Sequence, residues 1–158
     1  PSQGRQAMGD DHGGAALAQE VDGGIESLLG DRIDPGRRLV QHEEVGLAPG
    51  EVDLEMPFAE MWSFRPGQFQ ATPMFAVADF AGVTAAGTLL AEGWTLSTVD
   101  VTLKIVGPAL EGPLRAVGRV VKAGRLLTVS SAEVWGIDGE GESLCATALV
   151  TARNIPPA

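Results

Sequence analysis

Between Thr72 and Leu90 the chain reads TPMFAVADFAGVTAAGTLL, a helix-length apolar run with one carboxylate, Asp79, inside it. Thr72 followed by Pro73 predicts a helix start, because the hydroxyl caps free N–H groups and Pro is pre-set for the first helical position. Met74 to Ala78 and Phe80 to Val83 leave almost no polar side, so the rest of the fold has to wrap around this helix. An ionised side chain on such a helix is costly unless it is paired, hydrogen-bonded or facing a cleft. Asp79 is therefore the first candidate for chemistry. Its alternative is a structural carboxylate satisfied by a neighbouring hydroxyl, amide or subunit contact.

The flanks supply the wrapping. Ala15 to Leu29 reads as an amphipathic helix, with Leu17, Val21, Ile25, Leu28 and Leu29 at helical spacing and Gly30 closing it. Leu39 to Val45 and Val52 to Met56 read as two strands around the turn Leu47-Ala48-Pro49-Gly50. A loop from Trp62 to Ala71 leads into the apolar helix. After Gly93 the period changes: Val99, Val101, Leu103 and Ile105 point one way, and Thr98, Asp100, Thr102 and Lys104 the other. Gly107-Pro108 breaks that strand. Leu114 to Val121 and Leu126 to Trp135 follow as a hairpin across Lys122-Ala123-Gly124-Arg125. Gly139-Glu140-Gly141 turns the chain into a last strand, Leu144 to Thr151. Four strands in a row after one buried helix predict an α+β layout, a curved antiparallel sheet around that helix.

At 158 residues the chain is expected to form one domain over 14–158, preceded by a disordered polar tail over 1–13. A formal net charge of −10 argues against broad nucleic-acid binding. The charge is uneven, however. From Gly112 to Ala132 there is no Asp or Glu, while Arg115, Arg119, Lys122 and Arg125 all fall there. These cations are either a patch for a phosphorylated small ligand or solvated strand-face residues. No apolar run is long enough to span a bilayer, and no partner membrane is expected. The N-terminal residues carry no hydrophobic core of a secretory signal, and the single Cys145 fits a reducing cytoplasm. His12 lies in the expected tail and His42 in an early strand, so no metal cluster is visible, and no nucleophile elbow, phosphate loop or dinucleotide fingerprint is present. Neither a metal nor a cofactor is expected.

The order of these elements resembles the hotdog-fold acyl-CoA thioesterases, most of all the phenylacetate-degradation, 4-hydroxybenzoyl-CoA thioesterase-like branch. The likeness covers roughly Arg38 to Asn154. It rests on Ala78-Asp79 in the alanine-rich helix, then Thr98-Val99-Asp100-Val101-Thr102-Leu103, Gly107-Pro108-Ala109, and Arg119-Val120-Val121-Lys122-Ala123-Gly124-Arg125. The resemblance implies a hotdog fold assembled as a homodimer or a dimer of dimers, with Asp79 as nucleophile or general base on a thioester. Family members carry a loop of the form Asn-Pro-Gly-Gly-x-x-His-Gly-Gly before the helix. Here the nine residues read Phe64-Arg65-Pro66-Gly67-Gln68-Phe69-Gln70-Ala71-Thr72, so Phe64 stands for the amide and Gln70 for the histidine.

Thioester hydrolysis needs an attacking group and donors for the developing oxyanion. Free N–H groups near Ala71, Thr72 and Met74 suit the second role. Asp79 lies seven residues beyond Thr72, a rise of roughly 10 Å. Both groups must come within about 3 Å of one carbonyl, so a single helix hardly supplies both. Two antiparallel central helices in a dimer would, and the resemblance implies that arrangement. Gln68 and Gln70 are candidate polar partners or simply water-facing loop residues. Phe64 and Phe69 are candidates for substrate contact, and Arg119, Lys122 and Arg125 for the phosphates of coenzyme A. The expected activity is acyl-CoA hydrolysis; the second reading is a non-catalytic acyl or aromatic ligand-binding hotdog protein. A dehydratase reading is weaker, since neither histidine is well placed.

Overall fold

Period-two alternation in the second half of the chain sets up the scaffold on which everything else rests. The computed structural model describes residues 46–157, which all fall in the second of the two units into which the chain divides, Pro35–Ala158. The predicted tail, the helix Ala15–Leu29, the strand Leu39–Val45, His12 and His42 lie outside the described residues. The strands are β1 (Gly46–Ala48), β2 (Glu51–Met56), β3 (Ser63–Arg65), β4 (Gln68–Phe69), β5 (Thr95–Ile105), β6 (Leu114–Ala123), β7 (Leu127–Asp138) and β8 (Gly141–Ile155). Among the described residues one α-helix, α1 (Ala71–Gly87), interrupts them. Six strands form one antiparallel sheet in the order β1-β2-β6-β7-β8-β5, and β3 with β4 makes a small separate hairpin. This is the predicted α+β arrangement of one helix against an antiparallel sheet.

Alternation decides which face meets the helix. On β7, Thr128, Ser130, Ala132, Val134 and Gly136 are buried while their neighbours are not. Those residues and Val52, Leu54, Leu114, Ala116, Ala146, Ala148 and Val150 form the layer under α1, which contributes Met74, Val77, Ala78, Ala81 and Ala85. Small residues on both sides let the helix lie close to the strands. A Cβ on Gly118 of β6 would stand 2.2 Å from the carbonyl oxygen of Ala81, and one on Gly82 would stand 2.7 Å from Val150. Tight approach of helix to sheet is therefore fixed by glycine on each partner.

Four local expectations change. Helix α1 begins at Ala71 with Gln70 as its N-cap, so Thr72 and Pro73 fall inside the first turn and no side chain caps it. Tertiary anchors set that start: the Gln70 N–H donates to the Trp62 carbonyl at 2.8 Å, and the Phe69 N–H to that of Ala109 at 2.9 Å. At its other end the helix stops at Gly87, and Leu89 and Leu90 continue only as a turn. Leu47 and Ala48 belong to β1, leaving Pro49-Gly50 as the turn. The last strand is longer than Leu144 to Thr151, because Asn154, buried at its far end, still pairs on its inner face.

A fifth change matters most for function. The pairing of β5 with β8 slips between Thr98 and Asp100: Thr98 faces Ala152, whereas Asp100 faces Thr151. Val99 is the extra residue of a β-bulge, and one inserted residue reverses the face of everything before it. Thr98 therefore joins the helix side with Val101 and Leu103, not the outer side with Asp100 and Thr102.

Candidate active site

The first turn of α1 and the β3–β4 hairpin that precedes it make one wall of a cleft of about 480 Å³. Phe64, Gln68, Phe69, Gln70, Ala71 and Met74 line it, and the segment Ile105 to Ala109 closes the opposite wall. Its size is that of a small-molecule site, and among the described residues its lining contains no charged side chain. Phe69 is only 2% exposed and packs edge-on against Phe58, with ring centroids 4.9 Å apart, so it forms floor more than surface. Phe64 stands at the rim, 61% exposed, with the Arg65 guanidinium 5.3 Å from its ring centre. The N–H groups of Ala71 and Thr72 are among those a helix leaves without intrahelical partners, and Pro73 has none; because the N-cap is Gln70 and not Thr72, the Met74 N–H, expected to be free, makes the first bond within the helix, to the Gln70 carbonyl. Together with the helix dipole they favour negative charge at this end of the cleft.

Asp79 does not line that cleft. It lies eight residues beyond Ala71, about 12 Å along the helix axis. The Thr98 hydroxyl donates to its Oδ1 at 3.0 Å, and the bulge at Val99 makes that contact possible. Half-buried, the carboxyl is held above its ordinary pKa by loss of hydration, while the hydrogen bond from Thr98 pulls the other way. Hydration loss wins. A carboxylate with a raised pKa and one fixed lone pair is a better proton acceptor than a solvated one, and its second oxygen stays available.

The four cations of the hairpin region divide. Arg115 donates to Asp53 at 2.9 Å through Nε and to Glu142 at 3.0 Å through Nη1, which raises its pKa further. Arg119 meets Glu51 at 2.9 Å and Glu133 at 3.9 Å. Both lie on the sheet face away from α1, as partners of outward positions on β2 and β7. Lys122 and Arg125 remain exposed around the β6–β7 turn and make no ion pair among the described residues. The predicted patch is thus two neutralised arginines and two available cations. Cys145 is fully buried, with its thiol 3.1 Å from the Pro108 carbonyl, and has no nucleophile's exposure.

The structure gathers Phe64, Gln68, Phe69, Gln70, Ala71 and Met74 at one site and leaves Asp79 at another on the same chain. Thr72 sits exposed beside the first group. Two contributors were not singled out from the sequence. Thr98 was hidden by the bulge, since simple alternation turns it outward. Arg65, whose Nε donates to Gln68 Oε1 at 2.7 Å, carries no signal beyond its place three residues earlier.

No protein-family model matches the chain, and neither does any curated protein sequence. Solved structures do. A thioesterase family protein from Silicibacter pomeroyi is 28% identical, superposes with a TM-score of 0.73, and matches 89% of this chain and 98% of its own. A phenylacetic acid degradation-related protein from Ralstonia eutropha gives 24% identity and a TM-score of 0.63 over 87% of this chain and 98% of its own. A thioesterase from Haemophilus influenzae gives 21% and 0.64, covering 70% and 76% of the two chains. Among the described residues no helix is long and apolar enough to cross a membrane. The chain therefore has the hotdog fold, and the solved structures it is similar to include thioesterase family proteins.

Proposed function

We propose that the protein hydrolyses an acyl-CoA thioester at a site shared between two copies of the chain. The observation that carries this reading is the position of Asp79: half-buried, raised in pKa, and hydrogen-bonded to a threonine on β5, the last strand of the sheet. An eleven-residue edge strand leaves a row of unpaired backbone groups that invites pairing with a second copy. Around a two-fold axis, such pairing sets the two α1 helices side by side and antiparallel. An axis crossing near Phe75 and Ala76 would bring Asp79 of one copy beside Ala71 and Thr72 of the other. Both of these axis residues are exposed on a helix that is otherwise largely buried.

In that arrangement the apolar cleft receives the acyl group, and the first N–H groups of α1 face the thioester oxygen. Asp79 from the second copy acts as base on an attacking water or as nucleophile on the carbonyl carbon. The oxyanion that forms is held by the N–H groups, and collapse expels the coenzyme A thiolate. No cofactor takes part. Lys122 and Arg125 lie near the C-terminal end of α1, so antiparallel helices carry them toward the partner's cleft, where they meet the nucleotide phosphates.

A panel of acyl-CoA substrates scored by free-thiol release tests the proposal, with apolar and aromatic acyl groups expected to turn over fastest. Thermal stabilisation by acyl-CoA without thiol release would instead favour a ligand-binding hotdog protein, a reading helped by the absence of charged groups among the described residues of the cleft. Neither effect would defeat both.

A further inference from the structure

We infer that Arg65 is a positioning residue that turns the amide of Gln68 so that its two N–H groups face the thioester carbonyl. The reasoning begins with the donor inventory. A guanidinium has donors and no acceptor, so the 2.7 Å contact from Arg65 Nε engages the Gln68 side chain through Oε1 and no other atom. The amide nitrogen of Gln68 then points away from Arg65, with both of its protons unspent. Gln68 lines the cleft together with Ala71, whose backbone N–H opens the helix, so the amide adds side-chain donors to backbone donors on the same wall.

The backbone beneath this amide is held firmly. Ser63 and Arg65 pair with Phe69 and Gln68 across Pro66-Gly67, and Gly67 adopts a φ of 73° that only glycine takes without strain. Gln68 also bridges to Leu110 on the far side, and the next residue, Phe69, is buried against Phe58. With both neighbours tied, the remaining freedom at Gln68 is its own side chain, and Arg65 removes the flip of its amide. Arg65 is itself steadied by the face of Phe64. An amide that cannot flip presents donors to charge developing on oxygen at no cost of reorganisation, which is how such groups accelerate acyl transfer.

The inference rests on the thioesterase reading, and two substitutions separate the two. Gln68→Glu keeps an oxygen for Arg65 and preserves the hairpin, but it deletes both donors. It should lower kcat about 10- to 100-fold with KM changed less than about twofold. Gln68→Met should do the same without adding charge. Arg65→Met should lower kcat by a smaller factor, about threefold, in the wild-type background and by nothing in the Gln68→Met background, because Arg65 acts only through Gln68. A Gln68→Glu enzyme with wild-type kcat overturns the inference while leaving the thioesterase reading intact, as does an Arg65→Met effect that persists without Gln68. Wild-type protein that releases no thiol from any acyl-CoA overturns the thioesterase reading instead. The orientation of the amide is then read from the 15N–1H signals of the Gln68 side chain, which Arg65→Met must shift if Arg65 holds it; signals that stay in place overturn it.

Discussion

The two ends of the proposed chemistry are built by opposite means. At the start of α1, backbone does most of the work: free N–H groups, an apolar cleft and a hairpin held by main-chain bonds to Trp62 and Ala109. In the middle of the helix one side chain does it, Asp79, kept ready by one hydroxyl from a neighbouring strand. Backbone donors tolerate changes of side chain, whereas a lone carboxylate tolerates none. Under the proposed reading, the contrast accounts for a site that works with Phe64 and Gln70 where the loop it resembles has an amide and a histidine.

Substitutions that strike one end and spare the other test the contrast, and the largest effect belongs to Asp79. Asp79→Asn keeps shape and hydrogen bonding but removes the base, so hydrolysis should fall by at least about a hundredfold in steady-state assays. Stability should rise at neutral pH. The carboxyl's pKa is higher folded than unfolded, so the fold binds its proton more tightly and loses stability as pH rises through the interval between the two values. Asparagine removes that loss, so the gain seen by calorimetry at pH 7 should vanish below the ordinary carboxylate range. A folded mutant with unchanged turnover would break the assignment.

Thr98→Val comes next. Without the hydroxyl the ionised form of Asp79 loses a hydrogen bond, and the acid limb of kcat/KM should move to higher pH. Near neutrality the rate should drop roughly fivefold, the worth of about 1 kcal/mol. Thr98→Ser should restore both. A purely structural threonine would change stability and leave the pH profile in place.

The smallest effect concerns Lys122 and Arg125. Changing both to Ala should raise KM for acyl-CoA about threefold and flatten its dependence on salt, with kcat unaltered. A pantetheine thioester that lacks the nucleotide should show no difference between mutant and wild type. An equal effect on both substrates would detach these cations from the nucleotide.

The same division governs what could be read from the sequence. The four strands after the central helix and the half-buried β2 follow from hydrophobic period, because burial on one face imposes that period directly, whereas the helix itself follows from the length of its nearly all-round apolar run. The start of α1 lies two residues before the one that Thr72-Pro73 signals, because that pair is a good local cap signal while contacts from Trp62 and Phe69 decide the outcome. The bulge at Val99 is a single inserted residue that leaves composition untouched, so Thr98 could not be assigned to the helix side. Pairing Arg119 with Glu51 needs the register of β2 against β6, which no pattern within either strand supplies.

The central claim is that the cleft and Asp79 serve one substrate from two copies of the chain, and active-site complementation tests it most directly. Ala71→Asp places a negative charge at the helix start, where it suits the dipole and the fold but repels the oxyanion, and it should be inactive on its own. Asp79→Asn should also be inactive on its own. Mixed in equal amounts and allowed to exchange subunits, the two should recover about a quarter of wild-type activity, since half of the dimers are mixed and each holds one intact site. Mixed dimers that form, as seen by native mass spectrometry, and yet stay inactive would contradict a shared site.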